Sequence, residues 1–212
     1  MHNAAYGGIN FTAGNLAGSK YSVISGRGDH PVNFVTWFDT VRFANWLNNG
    51  QGTSDTESGA YKLDGGGPTP SNANSITRNA WAKVFLPSEN EWYKAAYYNP
   101  GTNSYFLYPT SSNTAPTPEA PPGGNNSASY ENVVGHLTDA GAYTGTTSPA
   151  GAFDMGGNVW QWTESLIEGS FRGLRGGSFF DNSGLLLSSS RYNGSPSNES
   201  IYGSGFRLAS KP

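Results

Sequence analysis

Leu86-Pro87-Ser88-Glu89-Asn90-Glu91-Trp92 holds, within seven residues, a change from extended chain to helix. Pro87 and Ser88 fix the turn, and Ser88 with Glu91 three residues on forms an S-x-x-E capping box. Trp92, Ala95 and Ala96 give the helix an apolar face, and Asn99-Pro100-Gly101 stops it, which predicts a helix over 88–98. The same grammar occurs upstream. After Pro31, Thr36 and Asp39 form a T-x-x-D box, and Trp37, Val41, Ala44 and Leu47 recur at helical spacing. Asn48-Asn49-Gly50 closes a helix expected over 36–48. Both read as amphipathic core helices with no group that needs a catalytic explanation. Phe171–Phe180 and Gly205–Ala209 read as buried strands between glycines. Residues 50–80 and 101–130 are rich in Gly, Ser, Asn and Pro, and the prolines of the second stretch make it read as a surface loop rather than a linker.

The composition agrees with short elements joined by long loops. The 212 residues fit one large domain, read here as spanning 1–212. Hydrophobic residues reach only 35%, but six Trp, 12 Tyr and 11 Phe supply large rings for a core. Charged residues are 13%, about half the usual share, so Asn, Ser, Thr and Gly must solvate the surface. A net charge of −3 with scattered Lys and Arg argues against nucleic acid as a partner. No apolar run is long enough to span a membrane, and residues 1–20 lack the basic start and apolar stretch of a signal peptide. There are no cysteines, so disulfides, thiolate metal sites and thiol nucleophiles are excluded.

Five segments occur in an informative order. They are Pro31-Val-Asn-Phe-Val-Thr-Trp37, Leu86–Trp92, Gly157-Asn-Val-Trp-Gln-Trp162, Arg175-Gly-Gly-Ser-Phe179 and Gly205-Phe-Arg207. Together, over residues 31–208, they resemble the formylglycine-generating-enzyme, or sulfatase-modifying-factor, family. The resemblance implies an α+β, C-type-lectin-like fold with short twisted strands, two main helices and extensive irregular loops. Physically, the glycines of 175–178 permit positive φ or close backbone approach. Arg175 and Arg207 are expected to pair with carboxylates.

The family's oxidase chemistry, as the resemblance implies it, binds copper through two cysteine thiolates just after the R-G-G-S segment. Ser178 matches that serine. The cysteine positions fall near Asp181 and Leu186, and neither replaces a thiolate for soft copper. No copper is therefore expected. His2, His30 and His136 lack metal-ligand spacing and read as isolated surface or turn histidines. A triad of Ser178, His136 and Asp181 lacks the sequence context of a nucleophile elbow. Calcium is the cofactor the resemblance implies, held by the Asp154 side chain, the Gly157 and Val159 carbonyls and Gln161. Gln161 stands where the family has Glu, and so removes one anionic charge. A second calcium site would use Asn132, Val133 and Asp139.

The favoured reading is a non-catalytic, exported binding module of unknown protein or glycan ligand, secreted or at a bacterial cell surface. Its contact surface is expected at Ser178, Phe179, Phe180, Asp181, Tyr192, Asn193 and Tyr202, within a stretch rich in adaptable Tyr, Ser, Asn and Gly. A version with a hypervariable C-terminal segment, as in variable proteins of diversity-generating retroelements, belongs to this reading. One alternative is a self-assembling surface protein. The chain lacks the family's leading strand and helix, which is expected to leave an open sheet edge for a second copy or partner subunit. The other alternative is a cysteine-independent enzyme using Glu164, Asp181 and Ser178 in the old cleft. A strongly perturbed carboxylate in a pocket would favour it.

Overall fold

The computed structural model of the chain describes residues 5–198 and 203–211. Both capping boxes form. Thr36 Oγ1 accepts the Asp39 N–H at 3.0 Å, and the Asp39 carboxylate accepts the Thr36 N–H at 2.9 Å. They start helix α1, Trp37–Asn48. Ser88 Oγ accepts the Glu91 N–H at 3.2 Å and Glu91 accepts the Ser88 N–H at 2.7 Å. They start helix α2, Glu89–Tyr97. This helix stops one residue before the expected end, because Tyr98 turns extended to enter a strand.

The strands are short. In chain order β1 is Ile9–Phe11, β2 Tyr21–Val23, β3 Val84–Phe85, β4 Tyr98–Asn99, β5 Ser104–Tyr105, β6 Thr117–Pro118 and β7 Ser127–Ala128. Then follow β8 Trp160–Ile167, β9 Phe171–Arg175, β10 Tyr192–Gly194, β11 Ser204–Phe206 and β12 Ala209–Ser210. The main sheet has the order β10-β9-β8-β11, antiparallel except that β11 runs parallel to β8. β10 and β11 are thus its edges, and the Val32 carbonyl packs directly on Gly205 of β11. β12 pairs with β3.

Two expected strands need correction. Phe171–Phe180 is not one strand, because Gly176 (φ 97°) and Gly177 (φ 71°) turn the chain straight after Arg175. Gly205–Ala209 divides into β11 and β12, which pair with different partners.

α1 buries Trp37, Phe38, Val41 and Ala44 in a core that also holds Tyr61, Trp162 and Leu174. Burial of such rings, at roughly 25 cal/mol per Å² of apolar area, is the main stabilising term. Arg175 behaves as expected: its guanidinium meets Glu89 at 2.5 and 2.7 Å and so fixes the start of α2 to β9. Among the described residues no helix is long and apolar enough to cross a membrane.

Candidate functional site

The loop before β8 is built from backbone that ordinary residues avoid. Asp154 (φ 53°), Gly157 (φ 77°) and Asn158 (φ 61°) are all left-handed, a conformation that Asp and Asn tolerate better than most. Cross-bonds hold the loop there. The Gly157 N–H reaches Gly176 O at 2.9 Å and the Asn158 N–H reaches Ser129 O at 2.9 Å. The Asn158 amide exchanges bonds of 3.1 and 3.0 Å with the Thr138 backbone, which ties segment 137–141 to the loop. That tie aims the Gly141 N–H at Asp154 Oδ2, 2.6 Å away.

Asp154 lines a cavity of about 530 Å³ with Arg207, Phe153, Phe206, Pro31 and Val159. Burial pushes the Asp154 carboxyl above the ordinary aspartate range, against the lowering effects of the Gly141 N–H and the charge of Arg207. Burial likewise lowers the Arg207 guanidinium, partly offset by Asp154. Arg207 was expected to pair with a carboxylate. Instead its Nε–H donates to Gln161 Oε1 at 2.5 Å, and Nη2 donates to the carbonyls of Phe153 (3.0 Å) and Asp154 (3.1 Å).

Gln161 is buried and fully engaged. Its Oε1 also accepts the Trp92 Nε1–H at 2.7 Å, and its Nε2 donates to the Asp154 carbonyl at 2.7 Å. The oxygens expected around calcium are therefore partly taken by Arg207, which brings its own positive charge to the place. A calcium ion using Gln161 has to displace that arginine. Val159 turns its side chain into a cluster with Leu137 and Phe179. Of the second calcium set, the Asn132 and Val133 N–H groups close the turn after Tyr130 by bonding Phe179 O and Tyr130 O. Asp139 faces His30 at 3.5 Å instead.

The residues expected to form a contact surface are not gathered into one. Phe179 is 1% exposed, packed among Leu137 and Val159, and the Phe180 ring lies against it, tilted by 40° with ring centroids 3.9 Å apart. Ser178 is also buried, and its hydroxyl and N–H both go to the Asp181 carboxylate at 2.6 and 2.8 Å. Tyr192 is half-exposed on edge strand β10 against Trp160, with Asn193 beside it. Tyr202 and His2 lie outside the described residues. Glu164 is separate from Ser178 and Asp181: it accepts the Tyr61 hydroxyl at 2.8 Å and meets Arg78 at 3.3 Å. His30 and His136 are not isolated, since their rings stack 6.3 Å apart. Burial lowers the His30 pKa more than Asp139 raises it.

The comparisons place these features in a family. The Sulfatase-modifying factor enzyme 1-like domain pattern matches residues 10–212. The chain belongs to this family. Hercynine oxygenase of Mycobacterium tuberculosis is 32% identical over 152 residues, covering 61% of this chain and 33% of that protein. Hercynine oxygenase of Mycolicibacterium smegmatis is 32% identical over 156 residues, covering 61% of this chain and 34% of that protein. The chain thus spans about a third of the length of these curated relatives. Treponema denticola variable protein 1 is structurally similar, with a TM-score of 0.62 and 22% identity over 96% of this chain and 78% of that one. At that identity the likeness shows the fold alone, which is α+β of the formylglycine-generating-enzyme type.

These relatives overturn the reading of a non-catalytic binding module. The curated proteins that share about a third of their aligned residues with this chain are named as enzymes. The missing cysteines remove one chemistry and not catalysis as such.

Proposed function

We propose that this chain is the substrate-handling part of an enzyme that uses no cysteine from this chain, acting in an oxidation of the class for which its curated relatives are named. The observation that carries this reading is Asp154: a largely buried carboxyl, pushed up by burial, facing the 530 Å³ cavity beside Arg207. Perturbed carboxylates in clefts mark acid–base groups. Asp154 would take a proton from bound substrate at Oδ1 and later return it, while the Gly141 N–H holds Oδ2 still. Arg207, fixed by Gln161 and two carbonyls, would orient an anionic group. Phe153, Phe206 and Pro31 would keep water from the reacting atoms.

Reaction with dioxygen needs a one-electron partner, a redox metal or an organic cofactor. A transition metal of that kind takes at least about three protein donors, and no group of three or more His, Cys, Asp or Glu exists among the described residues that could hold one. The residues present do not fit such a group held by this chain alone, and no step is assigned to it. The test is oxygen uptake with hercynine and other amino-acid-derived compounds as trial substrates, with a redox metal salt added to supply the one-electron partner that this chain alone does not hold, followed against pH. A rate that changes through an ionisation above the ordinary aspartate range supports the reading. Turnover that is flat across that range overturns the role of Asp154.

A further inference from the structure

Asp154 and Arg207 face one cavity and carry opposite charges, yet they are not ion-paired with each other. Each has an unused end. Asp154 Oδ2 takes the Gly141 N–H, while Oδ1 takes no bond among the described residues. Arg207 commits Nε and Nη2, while Nη1 makes none among the described residues. A half-buried acceptor and donor of opposite charge, each held still by backbone, form a two-point site. A ligand with one charge would leave the other side chain unmatched in a poorly solvated place, a penalty that decides selectivity. Phe153, Phe206, Pro31 and Val159 supply apolar wall, while the Asn158 and Gln161 amides that also line it are already engaged with Thr138, Trp92, Asp154 and Arg207.

We propose that the cavity binds an amino-acid-type zwitterion with an apolar body, its ammonium group against Asp154 Oδ1 and its carboxylate on Arg207 Nη1. This rests on the reading of the cavity as the substrate site and adds the chemical class of ligand. A free α-amino acid holds its two charges a few ångströms apart, which suits two side chains that are near without touching. A dianion would set a second carboxylate against Asp154, and a dication would do the same to Arg207.

Calorimetric titration of the whole chain with L-phenylalanine, 3-phenylpropionate and 2-phenylethylamine tests it. These probes share a ring and differ in which charge they keep. L-Phenylalanine is expected to bind at least about tenfold more tightly than either single-charge analogue. Asp154→Asn should bring L-phenylalanine down to the affinity of 3-phenylpropionate and leave 3-phenylpropionate itself unchanged. Arg207→Lys should weaken the two carboxylates and spare 2-phenylethylamine. Equal affinity for L-phenylalanine and 3-phenylpropionate overturns the proposal, as does no binding of any probe at about 10 mM. If Asp154→Asn abolishes turnover while no probe binds, the site reading stands and the ligand class is wrong. If L-phenylalanine binds as expected while turnover ignores Asp154→Asn, the reverse holds.

Discussion

Gly176→Ala tests how the motif glycines position the site. Gly176 has φ 97°, and an added Cβ would sit 2.8 Å from the Met155 carbonyl oxygen and 3.3 Å from the Trp92 ring. Carbon and carbonyl oxygen normally stay about 3.3 Å apart, so the backbone at Met155 must move by about half an ångström. The left-handed conformation alone costs an alanine roughly 1–2 kcal/mol. The displacement also loosens the bond from the Gly157 N–H to Gly176 O, at about 1 kcal/mol. The total loss of stability is about 3 kcal/mol. Gly151→Ala is the control, because Gly151 shares a positive φ of 78° but has nothing within 4 Å of an added Cβ. It is expected to lose only about 1 kcal/mol. Urea denaturation of both variants separates conformational strain from steric clash. If Gly176→Ala is no less stable than Gly151→Ala, the close packing of β9's end on the Asp154 loop is wrong.

Glu89→Gln is expected to lose about 3 kcal/mol, measured by the same denaturation, because it leaves the buried Arg175 guanidinium without its counter-charge. Millimolar calcium should leave the wild-type melting temperature unchanged, and Arg207→Ala should make it rise with calcium. A clear rise in the wild type would show that the arginine yields to the ion. Asp154→Asn should be more stable than wild type at neutral pH. Burial raises the native carboxyl, so its contribution is present below the ordinary aspartate pKa, about 3.9, and is lost as pH rises through the raised value. The advantage should therefore shrink as pH falls through the raised value and be gone below the ordinary one. A gap in melting temperature that does not change with pH would count against it.

Both helices were legible because capping boxes are local: Thr36 with Asp39, and Ser88 with Glu91, decide their own turns whatever surrounds them. The strands were harder for a physical reason. β8 buries Trp160, Gln161, Trp162 and Thr163 on both faces, so the alternation that marks a half-exposed strand is absent. The site was harder still. Arg207 and Asp154 lie 53 residues apart and are joined through the Asp154 backbone carbonyl and the Gln161 amide, links that leave no trace in side-chain spacing. His30 and His136 stack across 106 residues in the same invisible way. Phe179 reads as an adaptable contact because of its polar neighbours, but the two glycines before Ser178 turn it into the core. Gln161 stands where the resemblance implies a calcium-binding Glu, and its amide supplies a donor for the Asp154 carbonyl that a carboxylate would lack.

The most direct test of the central claim is the rate of oxygen-dependent turnover of hercynine, as a trial substrate, by wild type and Asp154→Asn, with a redox metal salt added to supply the one-electron partner, compared at neutral pH after both proteins are shown to be folded. The expected result is turnover by wild type and a loss of at least about 100-fold in the variant, the usual weight of a positioned acid–base group. Equal rates, or no turnover by the wild-type protein, would contradict it.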